Sequence, residues 1–397
     1  MKGAGAMKRR VLWWGRFDPG YSRNRVYISL FKKLGWEVDF FFVKVWPRFG
    51  DVEAFVRGLQ FRARPDLVWV PVARQRDVLA ACRWAHRRGI PVIFDPMISA
   101  WDKKVLEQLK WKAEEPRAKR LLAREKKMMA APDIVCWDTS CHVDFCEKCL
   151  EVPRERLRVL LTGTDEAVFK PQSLVPGAEC LVPGAELAHE KISHQAPGTG
   201  HQAPFKVLYH GAYLPLHGTE YIVEAARMTQ DEGIQWDFLG WGAYKAATEA
   251  KAAGIRNITF LDKVPYVEVP KVIAAHDVVL GVFGTTAKAA RVIGNKVYEC
   301  MACCRPTINE FCTGYPPEAK ECKAIKFVPP GDAKAIADAV RAYRDDWANR
   351  DSYFAAARDF FEKHLSMAVI EKQLAEIVGD VVGNPPPPLL SNDALRA

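Results

Sequence analysis

From Phe205 to Phe283 the chain alternates short buried strands with helices, and no other feature narrows the fold so far. The stretch FKVLYHGAYLPLHG at 205–218 reads as a strand, a Gly-containing loop and a helix starting near Thr219 and Glu220, the layout of a phosphate-binding turn. WDFLGWG at 236–242 is a strand running into a turn, ITFL at 258–261 a short strand, 269–275 a helix, and DVVLGVF at 277–283 another buried strand. Strand and helix in strict turn predict an α/β fold with a parallel, doubly wound sheet, whose ligand binds at the carboxyl ends of the strands.

The next segment, TTAKAARVIGNKVYECMACCRPTINE at 285–310, gathers Lys288, Arg291 and Lys296 around a Gly294-Asn295 helix entry, after which Val297, Tyr298, Met301 and Ala302 recur at helical spacing. Cations beside a helix N-terminus make an anion site. Glu299, one turn in, offers two acceptor oxygens and no donor, which suits a vicinal diol such as ribose. Diphosphate plus ribose describes a nucleotide sugar; the plainer reading is a solvated basic loop before a core helix.

A chain of 397 residues exceeds one core and predicts two domains, and 49% hydrophobic with 26% charged residues is ordinary for a globular protein. No apolar run is long enough to span a bilayer, and Arg16 and Asp18 interrupt the N-terminal apolar stretch, so neither a membrane span nor a secretory signal is expected. The expectation is a cytoplasmic protein. Its net charge of +9 is uneven: the first hundred residues carry +11 and the remainder −2. A basic face of this kind suits anionic lipid head groups at the inner face of the membrane or an acidic polysaccharide, or is merely solvated. Nucleic acid is not expected as a partner, because no recognised module accompanies the charge. Eleven cysteines without an export signal argue against disulfides. Cys141, His142, Cys146 and Cys149 fall on an expected helix rather than in a four-ligand zinc arrangement, so no metal is expected.

In the N-terminal half, residues 8–14 form a first strand, followed by the loop GRFDPGYSRN at 15–24 and a helix over 25–34. The loop has neither a dinucleotide fingerprint nor a P-loop, which disfavours a nicotinamide enzyme or an NTPase. DLVWV at 66–70 and PVIFD at 91–95 are further strands, with Asp95 at a carboxyl end where an acid is a site candidate. Between the halves, LVPGAE at 174 and 181 and HQAP at 194 and 201 repeat at a spacing of seven, the mark of a duplicated, flexible insert.

The ordered series of a Gly loop before a helix, FLGWG, AAHDVVLGVF and NKVYECMACCRPTI resembles the donor domain of family-four (group 1) glycosyltransferases of the GT-B fold, and DIVCWDTS at 133–140 with VLLTGTDEAVFKP at 159–171 extends the resemblance to nearly the whole chain. It implies two Rossmann-like domains facing a central cleft: an acceptor-side domain over 1–171, a linker insert over 172–204, a nucleotide-sugar domain over 205–365, a helix over 366–383 returning to the first domain, and a disordered tail over 384–397. By the same resemblance the donor is held by Gly211, His217, Gly218, Gly240, Lys288, Arg291, Asn295, Lys296, Val297 and Glu299. The acceptor is held by Arg16, Tyr21, Arg23 and Asn24, and Asp95 orients the acceptor or takes its proton, or else caps the helix after Ser99. His217 either donates to a phosphate, charging readily beside it, or caps its loop. The family's usual first glutamate is replaced by Arg291, and its clamping Arg and Lys by Ala212 and His217, so the phosphate charge is expected to fall to Lys288, Arg291 and Lys296. The implied reaction moves a sugar from a nucleotide-sugar donor to an envelope polysaccharide, lipid-linked or other glycan acceptor with retention, without metal or other cofactor. Alternatives are a non-catalytic nucleotide-sugar sensor or an epimerase of the same fold.

Overall fold

The computed structural model describes residues 8–57, 64–172, 203–383, 389–390 and 394–395; the expected insert therefore falls, but for its ends, outside the described residues. Strands β1 (Arg10–Gly15), β2 (Glu37–Phe42), β3 (Leu67–Val70), β4 (Val92–Phe94), β5 (Ile134–Trp137) and β6 (Leu157–Val159) form one sheet in the order β2-β1-β3-β4-β5-β6. β7 (Phe205–Ala212), β8 (Ile234–Trp241), β9 (Ile258–Leu261), β10 (Val278–Leu280), β11 (Thr307–Glu310) and β12 (Ile325–Val328) form a second in the order β12-β11-β10-β7-β8-β9. Every pairing is parallel. Central strands such as LVWV and IVCW are buried at every residue, because helices cover both faces.

Aromatic residues fill the first sheet's two faces. Trp13 stacks on Trp69 at 5.3 Å and meets Phe31 of the helix Ser22–Lys33 edge-on, while Trp14, pointing the other way, meets Phe41 and Trp84. Burying rings of this size supplies much of the hydrophobic stabilisation, each worth roughly 2–3 kcal/mol.

The helix Met367–Gly383 lies against the first domain. Its Gln373 side chain accepts from the Leu161 amide at 3.2 Å and Glu371 pairs with Lys33. Gly163, at φ 72°, admits Ile370 so closely that a Cβ would stand 2.6 Å from its Cδ1. One apolar cluster thus runs from Trp13 through Ile370 and Leu374 to Val297 and joins the two domains. Where a disordered tail is expected, Leu395 is buried in the first domain's core and its carbonyl accepts from Arg83 at 3.0 Å. Among the described residues, no helix is long and apolar enough to cross a membrane.

Candidate active site

In the second sheet the strand order reverses between β7 and β10, and a cavity of about 440 Å³ opens above that point. A crevice outside the carboxyl ends at such a reversal is where doubly wound sheets bind ligands. His210, Gly211 and Ala212 at the end of β7, Gly240 and Trp241 at the end of β8, and the first turn of helix Asn295–Ala302 form its C-terminal wall. Tyr21, Met97, Ile98 and Asp138 close it from the first domain.

Two glycines are sterically required. Gly240 has φ 140° and a Cβ there would lie 1.9 Å from the Gly211 carbonyl oxygen, so the ends of β7 and β8 meet backbone to backbone. Gly218, at φ 60°, brings the start of helix Thr219–Arg227 against the Phe283 carbonyl, 2.7 Å from where its Cβ would be. Gly211 has φ 126° and leaves space that Lys296 approaches, its Cε 3.7 Å from the missing Cβ.

Lys296 is buried, its Nζ donating to the Gly281 carbonyl at 3.2 Å and standing 4.2 Å from the Tyr209 ring centroid. Burial pulls the ammonium down to about 7, against the pull of Glu299. Burial likewise pushes Glu299 up to about 7, with Lys296 opposing. Glu299 Oε2 lies 3.6 Å from His210 Nδ1, and burial beside Lys296 drives His210 down to about 3. His210 is thus neutral, and its Nε2 is buried without a partner. Three polar side chains of unspent hydrogen-bonding capacity converge on the cavity. Asn295, at the helix start, joins them in lining it.

The structure places the other expected residues differently. His217 lines the cavity, but its Nδ1 is engaged by the Tyr209 hydroxyl at 2.9 Å and lies against the Ala212 carbonyl, and burial beside Lys296 holds it well below the ordinary imidazole value. It fastens its loop as a neutral ring instead of charging beside a phosphate. Val297 is wholly buried in the core and does not line the cavity. Arg291 does not line it either: its guanidinium pairs with Asp102 and sits 4.5 Å from the Phe145 ring centroid, both in the first domain. Buried Asp102 needs a cation, and Arg291 supplies it across the interface. Lys288 lines the cavity while pairing with Glu107 at 3.4 Å.

On the first domain's side, Tyr21 faces the cavity, its hydroxyl 3.9 Å from Met97 Sδ. Arg16 is bonded to the Val43 and Lys44 carbonyls, and Asn24 to the Asp18 carbonyl. Arg23 is completely buried, donating to both oxygens of Asp95 at 2.8–3.0 Å, to Thr162 and to the Leu160 carbonyl. Asp95, expected to act on the acceptor, is likewise fully buried and does not reach the cavity. Nor does it cap the following helix, since Glu125 accepts from Ser99 Oγ and from the Ala100 and Trp101 amides.

Sequence reasoning passed over His210, Asp138 and Met97. His210 directly precedes the loop glycine, and Asp138 follows β5 as Asp95 follows β4, so the strand-end rule applied equally to it. Asp138 is held by His142 Nδ1 at 2.6 Å. Met97 has φ 54°, a backbone conformation that side chains avoid and that sites tend to retain. Among the described residues, no group of three or more His, Cys, Asp or Glu is placed to hold a metal ion.

Two six-stranded parallel sheets facing one cleft, with the second sheet's switch point opening into it, define an α/β protein of GT-B architecture. Residues 204–346 match the family model described as Glycosyl transferases group 1. Among solved structures, sucrose-phosphate synthase from Thermosynechococcus elongatus superposes with a TM-score of 0.68 at 16% identity, covering 95% of this chain and 100% of that one. HepE of Anabaena, in complex with UDP and glucose, gives 0.66 at 13% identity over 94% and 100%. A glycosyltransferase from Rickettsia africae gives 0.65 at 12% over 95% and 99%. At these identities the likeness is one of fold. A comparison with curated protein sequences finds no match.

Proposed function

We propose that the protein transfers a sugar from a nucleotide-sugar donor, with retention of configuration and without a metal, to a glycan or lipid-linked acceptor of the cell envelope. The observation that carries this is the meeting, at the β7–β10 switch point, of His210 at the end of β7 with Lys296 and Glu299 on a helix whose first turn opens into the cavity. HepE was solved with UDP-glucose, and an Escherichia coli trehalose-6-phosphate protein with UDP-2-fluoro glucose, which supports a donor of this class. In this reading Lys296 and Lys288 meet the diphosphate, the helix N-terminus adds its positive end, and Glu299 accepts from the ribose hydroxyls.

As the glycosidic bond breaks, negative charge grows on the leaving diphosphate, and preorganised cations in a closed cleft stabilise that charge. Of the first domain's strand-end carboxylates, Asp95 pairs with Arg23 away from the cavity, and Asp138, which lines it, is bonded through Oδ1 to His142. Both Asp95 oxygens are engaged by Arg23 and lie outside the cavity, which favours a route in which the leaving diphosphate takes the acceptor's proton.

A thermal-shift screen against UDP, GDP, ADP and their sugars tests the reading, because a ligand that binds only the native state raises apparent stability. One base should stabilise the protein, and Lys296→Ala and Glu299→Ala should each abolish that shift. Absence of a shift with every nucleotide would overturn the donor assignment.

A further inference from the structure

The first domain exposes an apolar surface that the donor cleft does not use. After β2 the chain forms a 3-10 turn, Pro47–Phe49, and a short helix, Gly50–Val56, on which Trp46 is 67% exposed, Phe55 79% and Val56 75%, with Val45, Phe49 and Val52 beside them. A contiguous apolar patch of this kind on a globular protein marks a contact surface. The acids of the same segment are turned inward. Asp51 is buried and accepts from Arg83 at 2.8 and 3.0 Å, while Glu53 is buried against the Lys44 and Val45 amides and Arg57. The cations are turned outward: Lys44, Arg48, Arg57, Arg87 and Arg88 are all exposed, and the last two share a shallow hollow with Val52 and Phe55.

We propose that this surface docks the protein on an anionic lipid bilayer, Trp46, Phe55 and Val56 entering the head-group boundary and the arginines meeting lipid phosphates. Aromatic and aliphatic residues ringed by cations are the composition of an interfacial membrane contact. Each cation near an anionic surface strengthens binding by roughly fivefold. A second copy of the chain fits less well, because a symmetric dimer would set the same cationic rim against itself.

The surface adjoins the cleft. Arg16, in the loop after β1, is bonded to the Val43 and Lys44 carbonyls at the patch, and Tyr21 in the same loop lines the cavity. Docking therefore brings the cleft mouth near the bilayer, within reach of an acceptor carried on a lipid. That consequence rests on the transferase reading; the docking itself does not.

Flotation of the full chain with vesicles of phosphatidylcholine alone, and with about one-third phosphatidylglycerol, at physiological salt tests the proposal. Binding is expected only to the anionic vesicles. It should fall at least about tenfold in the Phe55→Ser, Val56→Ser double variant, and similarly in Arg48→Gln with Arg87→Gln. The nucleotide-induced thermal shift should persist in both variants, showing them folded and keeping this test separate from that of the donor site. No flotation with anionic vesicles overturns the proposal. So does flotation indifferent to the Phe55 and Val56 changes, or equal binding to a soluble polyanion such as heparin.

Discussion

At the carboxyl ends of the first sheet the charged side chains are bonded to one another, whereas at those of the second they are left facing the cavity. Arg23 and Asp95 neutralise each other in complete burial, and His142 holds Asp138. Across the cleft, Lys296 and Glu299 are both drawn to about 7 by burial, and His210 keeps an unpartnered nitrogen. The same architecture thus spends its polar groups on stability on one side and holds them for a ligand on the other. A buried polar group without a partner is costly, so its persistence at a cleft points to a ligand that completes it.

Asp95→Ala gives the largest effect expected. Leaving the Arg23 guanidinium buried and unpaired should cost about 3–5 kcal/mol in urea unfolding, with nucleotide affinity of the folded protein unchanged. Lost affinity at full stability would instead return Asp95 to the active site.

Lys296→Met should do the reverse. Removing a charge-assisted contact of about 2–3 kcal/mol weakens nucleotide-sugar binding roughly 30- to 150-fold by calorimetry. The folded protein should be no less stable, because the buried ammonium is a cost until a ligand pairs it.

Glu299→Gln is expected to act more selectively. The loss is about 1.5 kcal/mol, close to tenfold, for a ribose nucleotide and near zero for its 2′,3′-dideoxy counterpart. Equal losses for both would place Glu299 away from the diol.

The smallest effect is on pH dependence. Glu299 has a folded value above its unfolded one, so its form of stability is present at low pH and is lost as pH rises towards 7; Lys296 is lowered, so stability is lost as pH falls from the alkaline side towards 7. A donor that needs the charged pair binds best near neutrality. Affinity should fall on either side by at most about tenfold per pH unit, the pair titrating jointly. Lys296→Met should flatten the alkaline limb and Glu299→Gln the acid one, while His210, at about 3, stays silent across this range.

Much of the second domain was legible in its sequence because its signals are local. The Gly294-Asn295 break does start the helix Asn295–Ala302, and the glycines at 218 and 240 stand where a helix start and a strand end approach too closely for a side chain, while Gly211 adopts a φ of 126° that favours glycine. The residues of the first domain were harder to read, because a strand-end acid looks the same whether it faces a cleft or a buried arginine. Arg23 and Asp95 are 72 residues apart, and nothing in either neighbourhood reports their pairing. Arg291 was misread for the same reason: its sequence neighbours are the donor loop, but its partner Asp102 is 189 residues away in the other domain.

The sequence by itself determined the alternation of buried strands and helices, the glycine positions and the helix that carries Lys296 and Glu299, since these follow from periodicity and backbone sterics within a few residues. Only the tertiary structure decided which charges are spent and which are free. That choice depends on burial and on partners brought together by packing of the two domains, and the energy of a charge is set by the medium and the neighbours that surround it.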